Sequence, residues 1–153
     1  MLDPRRPVEV LLVEDSPDHA ELMADALQDS RLAVRVTIVE DGEEALQYLR
    51  RQGPHADAVR PDLVLLDLHL PRLSGDEVLA EAKQDPQLRR IPIIVMTSFD
   101  TDKAVRKVYE LHANCCVRKP ADLEEFSEAV KKIEAFWLSV ASTLVSRETN
   151  PGA

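Results

Sequence analysis

Five short apolar runs alternate along this chain with longer stretches whose apolar residues recur at helical spacing, and few folds satisfy that alternation. The runs are residues 8–13, 34–39, 63–66, 91–96 and 115–117. Leu63-Val64-Leu65-Leu66 and Ile93-Ile94-Val95-Met96 are apolar at every position, as strands covered on both faces require. Ser16 and Pro17 open the first helix as N-cap and first helical residue, and Ala20, Met23, Ala24 and Leu27 follow at helical spacing. A second helix starts near Glu43, runs through Ala45, Leu46 and Leu49, and is expected to stop at Gly53-Pro54. The polar loop 54–61 is longer than most connections. A turn over 71–75 opens a third helix through Val78, Leu79 and Ala82; a fourth covers roughly 101–112, and a last one begins near Asp122. Strand then helix, five times over, predicts an α/β domain: a doubly wound, five-stranded parallel sheet with helices on both faces.

Composition narrows the function. The 153 residues are one domain's worth of material. They divide into an N-terminal extension (1–7), a domain that includes a long last helix (8–145) and a flexible tail (146–153). Nineteen basic against 28 acidic residues give a net charge of −9, which disfavours a nucleic-acid partner. The adjacent pair Cys115-Cys116 rules out a disulfide framework. No stretch approaches the roughly 20 apolar residues that would cross a membrane. The first seven residues carry no apolar signal core, so a cytoplasmic protein is expected.

Open α/β sheets bind ligands beyond the carboxyl ends of their strands. After the first strand stand Glu14 and Asp15; after the third, Asp67; after the fourth, Thr97 and Ser98; after the fifth, Arg118, Lys119 and Pro120. One sheet edge thus gathers three carboxylates, two hydroxyls and a lysine. Neighbouring carboxylates repel one another unless a cation intervenes. An all-oxygen set suits Mg2+, which keeps few protein ligands and several waters. A carboxylate beside such an ion can act as nucleophile towards a phosphoryl group, with lysine and threonine meeting its oxygens. Taken singly, each group has a plainer explanation: acids favour helix N-termini, Asp67 could cap a strand, and Lys119 could be a surface charge.

Jointly, Glu14-Asp15, Asp67, Thr97 and Lys119-Pro120 resemble the receiver domain of two-component response regulators. Pro71 and Gly75 match the family's turn after the acceptor aspartate, and the resemblance covers about residues 8–137. It implies the flavodoxin-like (βα)5 fold with strand order 2-1-3-4-5. It implies that Asp67 is the phosphoacceptor. Asp15 would hold Mg2+ directly and Glu14 through water, with Asp67 and the backbone carbonyl of His69 as further ligands. Thr97 would follow the phosphoryl group and shift on activation. Lys119 would pair with phosphoryl oxygens, next to a cis Lys119–Pro120 peptide. The implied partner is a sensor histidine kinase, and the implied role is regulatory, with self-catalysed phosphotransfer and autodephosphorylation. Residues 60–71 and the tail 133–138 are similar to regulators that partner bacterial phytochrome kinases. One position departs: many receivers place Tyr or Phe three residues before the lysine, as a switch, and here it is Cys116. A thiol buries well, so the cysteine pair reads as strand core rather than a redox sensor.

Leu123, Phe126, Val130, Ile133, Trp137, Val140 and Leu144 are spaced alternately three and four apart, an a/d stripe. A helix from Asp122 to about Val145 would be roughly 36 Å long, against roughly 17–20 Å for a strand. Its far half should overshoot the domain, leaving Phe136, Trp137, Leu138 and Leu144 as a homodimer surface. With no room for an output domain, the expected output is phosphorylation-dependent contact with an unknown downstream protein. His19, His55, His69 and His112 lack metal-ligand spacing. Arg50-Arg51 and Arg89-Arg90 read as solvated helix ends. Two alternatives stay open: a receiver that signals by binding alone, and an aspartyl-phosphate phosphohydrolase. The second wants an acid two residues after its nucleophile, where this chain has His69.

Overall fold

The computed structural model describes residues 7–29, 33–97, 102–119, 124–125, 127–132 and 135, with backbone only at 102–104 and 118. Its strands are β1 (Val8–Val13), β2 (Val34–Val39), β3 (Leu63–Asp67), β4 (Ile93–Thr97) and β5 (Cys115–Arg118). Its helices are α1 (Pro17–Gln28), α2 (Gly42–Arg50), α3 (Gly75–Gln84) and α4 (Asp102–Glu110), and residues 127–132 are helical as well. The strands form one all-parallel sheet in the order β2-β1-β3-β4-β5.

Alternate residues of the central strands feed two separate cores. On one face Leu11, Val13, Val64, Leu66, Ile93 and Val95 meet α2, α3 and α4. On the other, Val10, Leu12, Leu63, Leu65, Ile94 and Met96 meet α1 and Val130. This is why β1, β3 and β4 are apolar without alternation. Edge strand β2 alternates more openly, and Ile38 stays exposed.

Several boundaries differ from expectation. On α1 the buried residues are Ala20, Met23, Ala26 and Leu27, so the inward stripe takes Ala26 rather than Ala24. β4 begins at Ile93, not 91, because Ile91 closes a turn onto Leu88 and Pro92 has no N–H to donate to a ladder. α2 ends at Arg50, before Gly53-Pro54: Arg51 takes the left-handed cap at φ 54°, and Arg51 and Gln52 donate back to Tyr48 and Gln47. Gly53–His55 instead form a 3-10 turn inside the long loop. The amino ends of β4 and β5 are tied by half-buried Lys83, whose Nζ donates to the carbonyls of Arg89 and Ile91 and to Asn114 Oδ1. Ser98, Pro120 with its expected cis peptide, and the tail with Phe136, Trp137, Leu138 and Leu144 lie outside the described residues.

Candidate functional site

The carboxyl ends of four strands deliver the site. Glu14 follows β1, and its N–H continues the pairing with β2 by donating to the Val39 carbonyl at 3.0 Å. Asp15 follows, exposed, before Ser16 caps α1 and accepts from the His19 N–H at 3.4 Å. Asp67 is the last residue of β3 and Thr97 the last of β4, both buried. The Lys119 N–H donates to the Thr97 carbonyl at 2.7 Å, which carries the lysine past the end of β5 towards the acids.

The expected residues meet there. Glu14, Asp15 and Asp67 each present an oxygen within 4.8 Å of the other two. Lys119 Nζ stands 3.0 Å from Asp67 Oδ2 and 2.8 and 3.0 Å from the two oxygens of Glu14. Asp67 Oδ1 accepts from the His69 N–H at 3.0 Å. Lys119 is therefore an internal counter-ion for two of the three carboxylates. A buried ion pair holds only when its remaining polar atoms are satisfied, and this cluster meets that condition closely.

Its protons are shared unevenly. Burial pushes Glu14 up to about 8, Asp67 adds to this, and Lys119 pulls the other way. Burial also pushes Asp67 up, but hydrogen bonding from Glu14, the Lys119 charge and the His69 N–H together hold it below the ordinary carboxylate range. Lys119 touches Glu14 through both oxygens and Asp67 through one, yet the proton falls on Glu14. Burial weighs most on Glu14, while Asp67 takes a hydrogen bond from Glu14 as well as the Lys119 charge and the His69 N–H. Near neutral pH the site thus presents an ionised Asp67 beside exposed Asp15. An oxygen-only donor set of this kind fits a hard divalent cation.

Three features escaped sequence reasoning or exceeded it. His19 Nδ1 lies 3.1 Å from Glu14 Oε1. The signal was present: behind Ser16 and Pro17, position 19 is the third helical residue, whose side chain reaches back over the N-cap. Gly75, noted only for its place in a turn, packs against the acceptor strand; a Cβ there would stand 2.3 Å from the Asp67 carbonyl oxygen. At the departing position, Cys116 is half-buried against the α2–α4 core, and burial and Cys115 raise its thiol pKa, which fits strand packing and not a reactive thiolate. Its N–H donates to the hydroxyl of Tyr109, on α4, at 3.2 Å. No local pattern announces that contact.

The chain matches the response regulator receiver domain family over residues 10–131. It is 41% identical over 136 residues to the response regulator Rcp1 of Synechocystis sp., covering 89% of this chain and 92% of that protein. The crystal structure of the phosphorylated cyanobacterial phytochrome response regulator RcpA superposes with a TM-score of 0.86 at 44% identity, covering 88% of this chain and 96% of that one. The Mn2+-bound form of Rcp1 superposes with a TM-score of 0.84 at 42% identity, covering 86% and 95%. Among the described residues no helix is long and apolar enough to cross a membrane.

Proposed function

This chain belongs to the response regulator receiver family, and we propose that it is a regulator that accepts a phosphoryl group on Asp67 from a sensor histidine kinase. The observation that carries this reading is a carboxylate held at a strand end by Lys119 and the His69 N–H, with Asp15 alongside. In the transfer, an Asp67 oxygen forms the new O–P bond as the N–P bond to the kinase imidazole breaks, and the imidazole retains the electron pair and takes up a proton. Lys119, already 3.0 Å from Asp67, turns its charge to the incoming phosphoryl oxygens. Thr97, the last residue of β4, donates to another in this reading.

The metal that fits this reading is Mg2+, which Asp15, Asp67 and the backbone carbonyl of His69 would hold, with Glu14 acting through water. Such an ion supplies charge neutralisation for the transferring phosphoryl group. The Mn2+-bound form of the similar Rcp1 supports a divalent ion here. The likeness to RcpA, a phytochrome response regulator, supports a phytochrome-type kinase as partner. Output through phosphorylation-dependent contact with a downstream protein follows the family's use of the fold as a two-state switch.

The decisive experiment is intact mass after incubation with a small phosphodonor and Mg2+. One added phosphoryl group is expected in the wild type, and none in Asp67→Asn or in metal-chelated protein. Absence of labelling under conditions that label a known receiver would replace this reading with a receiver that signals by binding alone.

The a/d stripe of the tail supports a homodimer built on Phe136, Trp137, Leu138 and Leu144. Sedimentation at tens of micromolar is expected to give a dimer for wild type and a monomer for Trp137→Glu. Two monomers would end the dimer proposal.

A further inference from the structure

Both arginine doublets reach one cavity, the second through Arg90 alone. Arg50 and Arg51 at the end of α2, Arg60 in the loop before β3 and Arg90 in the turn before β4 line one cavity of about 580 Å3. It opens at the amino ends of the strands, across the sheet from the carboxylate cluster. Arg50 is paired, meeting Glu81 at 3.2 Å and Asp85 at 3.9 Å. Among the described residues no carboxylate lies within ion-pair distance of Arg51, Arg60 or Arg90. Counting Glu81 and Asp85 against the four guanidinium groups leaves a local excess of two positive charges in a chain whose net charge is −9. The carboxyl ends of α2 and α3 border the cavity and offset roughly half a charge each. A positive cleft remains, and the buried Leu49 and Leu88 give it an apolar side.

We propose that this cavity binds a small phosphorylated anion with two or more adjacent phosphate groups, such as inorganic pyrophosphate or a nucleoside diphosphate. A guanidinium fork matches phosphate oxygens in pairs, and several unpaired forks around one space select a multiply charged ligand over a single carboxylate. The volume falls within the range of about 300–1,000 Å3 usual for small-molecule sites. The apolar side suits a base or sugar. The site shares no residue with the phosphoacceptor centre, so it stands apart from the function proposed above.

Calorimetric titration of the full chain without divalent metal tests it, with pyrophosphate, ADP and adenosine as separate ligands. Saturable one-to-one binding of pyrophosphate and ADP is expected, with no heat from adenosine. Arg51→Gln and Arg90→Gln should each weaken binding about tenfold, the loss of one charge-assisted contact. Their melting curves should match wild type, because neither side chain has a carboxylate partner to lose. Asp67→Asn should bind as wild type does. ADP binding more tightly than pyrophosphate would assign the apolar side to the nucleoside, and equal affinities would assign the site to phosphate alone. No saturable binding, binding unchanged in both arginine variants, or binding lost in Asp67→Asn would overturn the proposal. So would preference for a glutamate-rich peptide over both phosphorylated ligands.

Discussion

The two ends of the sheet carry opposite charge and hold it in opposite ways. At the carboxyl end Glu14, Asp67 and Lys119 are all but withdrawn from water, with side-chain exposures of 1%, 8% and 8%, and each satisfies the others. At the amino end Arg51, Arg60 and Arg90 are exposed around an open cavity. Buried charges determine one another, so disturbing one resets the rest. Exposed charges act singly and cost little to change. The first arrangement suits a chemical centre, where geometry must be fixed before the reaction. The second suits a site that waits for its counter-charge to arrive.

The strongest test of that contrast lies behind the acceptor. A Cβ on Gly75 would stand 2.3 Å from the Asp67 carbonyl oxygen and 2.6 Å from the Leu68 Cα. Those are backbone atoms and cannot rotate aside. Gly75→Ala should therefore cost about 3 kcal/mol, the upper part of the overpacking range. The melting temperature should fall by on the order of 10 °C, and phosphorylation of Asp67 should slow. Arg60→Gln, at the other end, should stay within about 0.5 kcal/mol of wild type. Equal effects from the two changes would erase the distinction between a determined end and a permissive one.

The same contrast decides what the sequence made legible. Strand ends in a doubly wound sheet are fixed points, so Glu14, Asp15, Asp67, Thr97 and Lys119 could be brought together from their order alone. The structure places Glu14, Asp15, Asp67 and Lys119 together as that order requires. What order could not give was which acid Lys119 would hold hardest, because that depends on side-chain packing. The arginine cavity was hidden for a different reason. Its members come from helix ends and loops, where residues separated by up to 40 positions converge only after α2, α3 and the loop before β3 are in place. The contact between the Cys116 N–H and the Tyr109 hydroxyl was hidden in the same way.

A second effect separates the ends by pH. Glu14 is raised from 4.5 to about 8 in the folded protein. Over that window the folded state holds a proton that the unfolded chain has released. Stability from this group is therefore full below the unfolded value and is lost as pH rises through the folded one. The slope is at most that of one proton, about 1.4 kcal/mol per pH unit. Asp67, with a lowered pKa, acts in the opposite sense, but in the acid range below its ordinary value. In chelator, the wild-type melting temperature should decline between about pH 5 and 8. In Glu14→Gln that component should be absent. A wild-type profile that is flat or rises across this window would mean that Glu14 is ionised in the fold and that Lys119 neutralises it outright.

The smallest effect probes the arginine end through its backbone. Arg51 closes α2 in the left-handed region, at φ 54°, where helices ordinarily place glycine. A residue with a Cβ costs roughly 1 kcal/mol more there than glycine does. Glycine in turn loses more freedom on folding. Arg51→Gly should therefore be neutral to slightly stabilising, by up to about 1 kcal/mol, raising the melting temperature by a few degrees at most. Pyrophosphate affinity should fall in the same variant, because the guanidinium is gone while the cap is kept. Stability and binding moving in opposite directions would identify Arg51 as a side chain held at conformational expense for what it binds. A fall in stability would point instead to packing by its aliphatic stem, and the amino end would then be more like the carboxyl end than its exposure implies.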